Sequence, residues 1–145
     1  MKQKSAAFAV GAVGYPCIEL AVRGRTHWSM ALLGGVCVLA LVWIARRFPA
    51  MPLVGQAAMG AAFITAAEFA VGALVNLWLG WRVWDYSREF ANVCGQICPL
   101  FSFFWFLLCI PVLAALKRRR GCLSRPLAAL KSRRKIRFFG PETGF

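Results

Sequence analysis

Residues 94–116 read CGQICPLFSFFWFLLCIPVLAAL, a run without one charged side chain. A helix needs about 20 mostly apolar residues to cross a hydrocarbon layer about 30 Å thick. This run has that length and ends against Lys117-Arg118-Arg119-Arg120. Working back along the chain, three further runs have the same character. Leu53 to Leu79 is the longest, with Glu68 as its one ionisable residue. Trp28 to Ala45 carries no charge until Arg46, and Ser5 to Val22 carries only Glu19. In lipid every backbone amide must be satisfied internally, which a helix does within one segment. The fold class expected is therefore all-α: an integral membrane bundle with spans at about 5–22, 28–45, 53–79 and 94–116, followed by a basic tail, 117–145.

Composition agrees. Of 145 residues 60% are hydrophobic and 16% charged, against about 45–50% and about 25% in soluble domains. The formal net charge of +13 would invite a nucleic-acid reading. Four long apolar runs argue against it, and no nucleic-acid partner is expected. The start, Met1-Lys2-Gln3-Lys4 before an apolar stretch, has features of a removable leader. Tyr15, Pro16 and Glu19 inside that stretch, and the lack of a clean cleavage site, favour a retained span.

Basic residues in short loops set orientation. Lys2, Lys4, Arg46, Arg47 and the ten Lys and Arg of the tail share one face. Arg23, Arg25, Arg82 and Arg88 lie on the other. The excess puts both termini in the cytoplasm of a multi-pass cell (plasma) membrane protein, and the tail carries most of that bias. Its triplets Arg118, Arg119, Arg120 and Arg133, Arg134, Lys135 flank a short amphipathic stretch. Such a segment is drawn to anionic headgroups by about 1 kcal/mol per basic residue, so membrane lipids are expected partners.

A carboxylate at mid-membrane costs about 2.5–3.5 kcal/mol on insertion scales, so Glu68 needs a reason. It lies on a ridge of four-residue steps, Gly60, Ile64, Glu68, Gly72, Asn76 and Gly80, whose members share a helix face. Small and polar residues mark a surface packed on another helix, so Glu68 is expected to face the interior. Two readings stay open for it: proton, cation or substrate handling, or a protonated carboxyl bonded to Thr65, Asn76 or another span. Gly11, Tyr15 and Glu19 repeat the pattern in the first run, with a Glu19–Arg23 salt bridge as the structural alternative there.

The outer loops are aromatic. Trp28, Trp81, Trp84 and Tyr86 fit an interfacial belt, and the lone His27 is expected to bond Asp85 or Glu19. Cys94 and Cys98 would share a helix face, whereas Cys17, Cys37 and Cys109 lie within spans as small hydrophobes. Neither a CxxC pair nor a second histidine supports zinc, so no metal and no cofactor are expected. The absence of GxxxxGK[ST], GxSxG and HExxH elements argues against an enzyme.

Glu19, Arg25-Thr26-His27-Trp28-Ser29-Met30, Gly34-Gly35, Glu68, Asn76, Val83-Trp84-Asp85-Tyr86-Ser87, Asn92 and Gly95-Gln96-Ile97-Cys98 together resemble a known family. It is the bacterial ABC-transporter type IV, or ABC-transporter permease-like, family of four-span membrane proteins. The resemblance covers about residues 5–110, and WDYS followed by N-x-x-G-Q-I-C is its most specific part. It implies a transporter permease subunit of unnamed substrate. This chain carries no ATPase and only a short inner loop, Arg46 to Pro52, so the resemblance implies a homo-oligomer or a separate ATPase subunit. Glu19, Glu68 and Asn76 would line a polar path beneath an outer gate of His27, Trp28, Trp84, Asp85, Tyr86 and Asn92. The alternatives are a small proton-coupled exporter working as a dimer and a non-transporting scaffold or accessory protein.

Overall fold

The computed structural model describes the backbone of residues 2–137 and the side chains of residues 3–119. Four helices follow in order: α1, Lys2–Arg23; α2, Trp28–Arg47; α3, Leu53–Gly72, continued by a π-helical segment, Ala73–Trp78; and α4, Pro99–Arg137. All four contain stretches long and apolar enough to cross a membrane: Gln3–Arg23, Trp28–Arg47, Leu53–Trp78 and Pro99–Arg119. No strand is present among the described residues; Val93 and Ile97 form one isolated bridge.

The helices divide into two close pairs. In the first, α1 lies on α2 at a glycine crossing. A Cβ at Gly11 would fall on the carbonyl oxygen of Gly34, and one at Gly34 would fall on the carbonyl of Gly11 and the Cβ of Tyr15. Small residues permit such approaches where lipid gives helices no hydrophobic reason to associate. In the second pair α3 lies on α4. Between the pairs α2 touches α3 and α4, but no Cα of α1 comes within 8 Å of a Cα of α3 or α4. The core follows α2, with Met30, Leu33, Cys37, Leu41 and Ile44 buried against Ala57, Ile64, Cys109 and Leu113. The loop between α2 and α3 is tied down by Gln56, which donates to the carbonyls of Phe48 and Met51, and by Lys117, whose Nζ donates to the Met51 carbonyl at 2.9 Å.

Two expectations need correction. The fourth helix starts at Pro99, not Cys94. Cys94 and Gly95 have φ of 51° and 67°, a left-handed conformation no helix continues through, whereas proline is preorganised for the first helical position. Cys94 and Cys98 therefore share no helix face; Cys94 is exposed in the loop and Cys98 is buried. The ridge of α3 also breaks after Gly72. Gly60, Ile64, Glu68 and Gly72 are buried as a row, but the wider π winding turns later residues off that line, and Gly80 is exposed.

At the far end α4 continues as one 39-residue helix to Arg137, about 58 Å at 1.5 Å per residue. The side chains of Arg120, Arg133, Arg134 and Lys135 lie outside the described residues. Arg118 and Arg119, just inside that limit, are both exposed.

Candidate functional site

On α1 the side chains of Gly11, Tyr15, Glu19 and Arg23 follow one another at four-residue steps and so share a face. The glycine crossing fixes where that face points. Tyr15 reaches the middle of α3, where its hydroxyl donates to Glu68 Oε1 at 2.6 Å. From α4 the indole Nε1 of Trp105 donates to Glu68 Oε2 at 2.7 Å. The Tyr15 and Trp105 rings stack at 5.1 Å between centroids, 25° apart. Glu68 is 3% exposed. Three helices thus meet on one carboxyl, each of whose oxygens has a donor.

One turn outward Glu19, also buried, takes Arg23 Nη1 on Oε1 at 3.2 Å and Thr26 Oγ1 on Oε2 at 2.7 Å. This i,i+4 contact is the one salt bridge among the described residues. The other terminal nitrogen of Arg23 donates to the Tyr86 hydroxyl. Its guanidinium lies 4.9 Å from the Tyr86 ring centroid and 5.6 Å from that of Phe101. Those rings stack at 4.4 Å. Burial pushes the Tyr86 hydroxyl above its ordinary range, so it meets Arg23 as a neutral phenol. The α1 backbone stays clear of α3 and α4, and these side chains are what bridges the seam: Tyr15 to Glu68 and Trp105, and Arg23 to Tyr86 and Phe101.

The loop from Gly80 to Cys98 folds back over one end of the bundle. Asn76, turned by the π segment, donates to the Trp84 carbonyl at 3.0 Å and to Gln96 Oε1 at 2.8 Å, and accepts from the Val83 amide at 2.7 Å. Trp84 Nε1 donates to the Gln96 carbonyl at 2.9 Å. Gly72 makes room for this layer, since a Cβ there would lie 2.9 Å from Trp84 Cζ2. Asp85 Oδ1 accepts from the amide and hydroxyl of Ser87, and these bonds hold its carboxyl below the usual aspartate range. Asn92 staples the turn, donating to the carbonyls of Ser87 and Glu89 and accepting from the Gly95 amide.

The sequence candidates therefore fall into three places. Glu19 and Glu68 join the α1 row. Asn76 belongs to the loop network with Trp84, Asp85, Tyr86 and Asn92, and no hydrogen bond ties it to either glutamate. His27 and Trp28 stand apart with Trp81, their ring centroids 5.3–5.9 Å from one another. Trp28 and Trp81 are exposed, whereas Trp84 and Tyr86, at 3% and 4% exposure, are buried and cannot belong to an interfacial belt. Those two rings pack inward because their polar tips find protein partners there. His27 bonds neither Asp85 nor Glu19; its Nδ1 instead caps α2 through Ser29. Thr65 pairs with Ser102 at 2.9 Å, not with Glu68. Among the described residues no three His, Cys, Asp or Glu side chains group as metal ligands.

Four apolar helices, a polar row buried at their centre and a loop folded across one end define a multi-pass membrane protein. The model of the family described as "Putative ABC-transporter type IV" matches residues 19–128. The chain belongs to that family, which points to a transport-related role rather than catalysis. No curated protein and no solved structure matches the chain.

Proposed function

We propose that this chain is the permease-type subunit of a membrane transporter, working as an oligomer or with a separate ATPase subunit, with both termini in the cytoplasm. The observation that carries the reading is the seam: no Cα of α1 comes within 8 Å of one in α3 or α4, and polar and aromatic side chains gathered on buried Glu68 and half-buried Arg23 reach across it. A polar path needs walls that separate at low cost. Side-chain contacts can be exchanged for contacts to a solute, whereas the glycine crossing of α1 on α2 cannot loosen without losing backbone packing. In this reading Tyr15–Glu68–Trp105 is the inner closure and Arg23–Tyr86 the outer one. The basic tail lies along anionic headgroups.

The test is a detergent pull-down of the tagged full chain, with mass spectrometry and an ATPase assay of the eluate. A nucleotide-binding partner at fixed stoichiometry, with ATPase activity, supports the permease reading. An eluate of this chain alone overturns the coupling to an ATPase and leaves the proton-coupled dimer. Reporter fusions at both termini check the orientation, and a C-terminal reporter active outside the cytoplasm refutes it.

A second reading has its own observation. Both Glu68 oxygens are satisfied within one copy, as expected if the carboxyl serves as glue between helices in a non-transporting accessory protein. A membrane protein without nucleotide-binding sequence, copurifying at fixed stoichiometry, would favour that reading.

A further inference from the structure

Away from the polar row, α2 and α3 enclose an apolar groove of about 440 Å³. Val36, Ala40 and Trp43 stand on one wall at helical spacing, Met59 and Phe63 on the other, with buried Ile44 at the bottom. From Val36 to Trp43 the groove follows α2 for about 10 Å, less than one leaflet's share of a hydrocarbon core about 30 Å thick. Its inner end is marked by charge. Trp43 packs edge-on against Phe48 at 5.9 Å, and the Arg47 guanidinium covers the same Phe48 ring at 5.4 Å. Arg46 and Arg47 form the last turn of α2 and both are exposed. Arg46 donates to Gln3, while no carboxylate pairs with either arginine among the described residues. The Trp43 indole N–H, at the same level, makes no hydrogen bond within the described chain.

We propose that this groove binds one anionic phospholipid, an acyl chain between α2 and α3 and its phosphate at Arg47. An apolar slot that ends in a cation without a carboxylate partner among the described residues is complementary to an anionic lipid at both ends. The site is independent of the transport reading and of the tail arginines.

Native mass spectrometry of the full chain, delipidated and then given equal dioleoyl phosphatidylglycerol and dioleoyl phosphatidylcholine, tests it. One phosphatidylglycerol adduct should be retained in preference to phosphatidylcholine. Arg47→Gln should cut that preference about fivefold, the factor for one basic residue at an anionic surface, and Arg47→Lys should keep most of it. Ala40→Trp, which fills the slot, should lose both lipids, whereas the double variant Arg118→Gln, Arg119→Gln should leave the adduct in place. Equal retention of the two lipids by the parent, or an unchanged preference in Arg47→Gln, overturns the proposal. So does a parent dimer that Ala40→Trp splits into folded monomers, since a second copy would then occupy the groove.

Discussion

If α1 is held to α3 through Tyr15 and Glu68, a double-mutant cycle on this pair should show a coupling that most membrane hydrogen bonds lack. The cycle uses Tyr15→Phe, Glu68→Leu and the double variant, because leucine removes the acceptor without supplying a new donor. Interhelical hydrogen bonds in membranes average about 0.6 kcal/mol in such cycles, with a maximum of about 1.7. The Tyr15–Glu68 bond lies towards that upper end. It is short, at 2.6 Å, and its acceptor is 3% exposed, where a bond left unmade costs about 1–3 kcal/mol. A coupling of about 1–1.7 kcal/mol is expected, read from unfolding of the full chain by steric trapping in bicelles. Glu68→Gln tells charge apart from bonding. The Trp105 N–H can only donate, so the amide oxygen must face Trp105 and the amide nitrogen must face Tyr15, whose hydroxyl can reverse and accept. Glutamine should therefore fold with at most about half the destabilisation of leucine, as it keeps both contacts. A coupling within about 0.5 kcal/mol of zero, the scatter of independent sites, would refute the idea that this bond holds the seam.

The glycine crossing supplies a paired test. Gly34→Ala should destabilise by about 1–3 kcal/mol through overpacking, because its Cβ meets backbone that cannot step aside. Gly14→Ala, with nothing within 4 Å, should gain about 0.5–1 kcal/mol from helix propensity; equal thermal shifts for the two would place the crossing elsewhere. The outer loop has an acid limit. Asp85 is lowered in the folded loop by its Ser87 bonds, so its contribution is present above the ordinary aspartate value of 3.8. That contribution fades only as pH falls through the lower folded value. Trp84 fluorescence in a variant whose other tryptophans are phenylalanine should stay native at pH 4 and shift below it, and Asp85→Asn should abolish that acid step; an unchanged step would assign it to another group.

The spans were legible because a bilayer imposes a length and a composition that tertiary packing cannot override, and Glu68 was legible as an interior residue because lipid makes the alternative costly. Its partners divide differently. Tyr15 stands out in the sequence as a polar member of the Gly11–Tyr15–Glu19 row, and a row of small and polar residues on one helix invites the matching row on another. Trp105 gives no such signal: within Phe101-Ser102-Phe103-Phe104-Trp105-Phe106 every second residue or more is aromatic, so only the assembled bundle selects the ring that turns inward.

The outer loop was misread for a more general reason. An interfacial belt and a buried plug use the same residues, since both need rings with one polar edge, and what separates them is whether that edge finds a protein acceptor. Here the Trp84 indole finds the Gln96 carbonyl and the Tyr86 hydroxyl finds Arg23. Both partners depend on backbone features that hydropathy does not report: the π segment that aims Asn76 at the loop, and the left-handed Cys94-Gly95 turn that brings Gln96 back over Gly72. The loop's small and amide residues were the available trace. Gly72, Asn76, Asn92, Gly95 and Gln96 are poor choices for lining a lipid interface but good ones for a tight, internally bonded cap. Arg23 then gains a meaning that the salt-bridge expectation alone did not give it. By holding Glu19 on its own helix and Tyr86 on the loop at once, it ties the position of α1 to that of the loop folded across the end of the bundle.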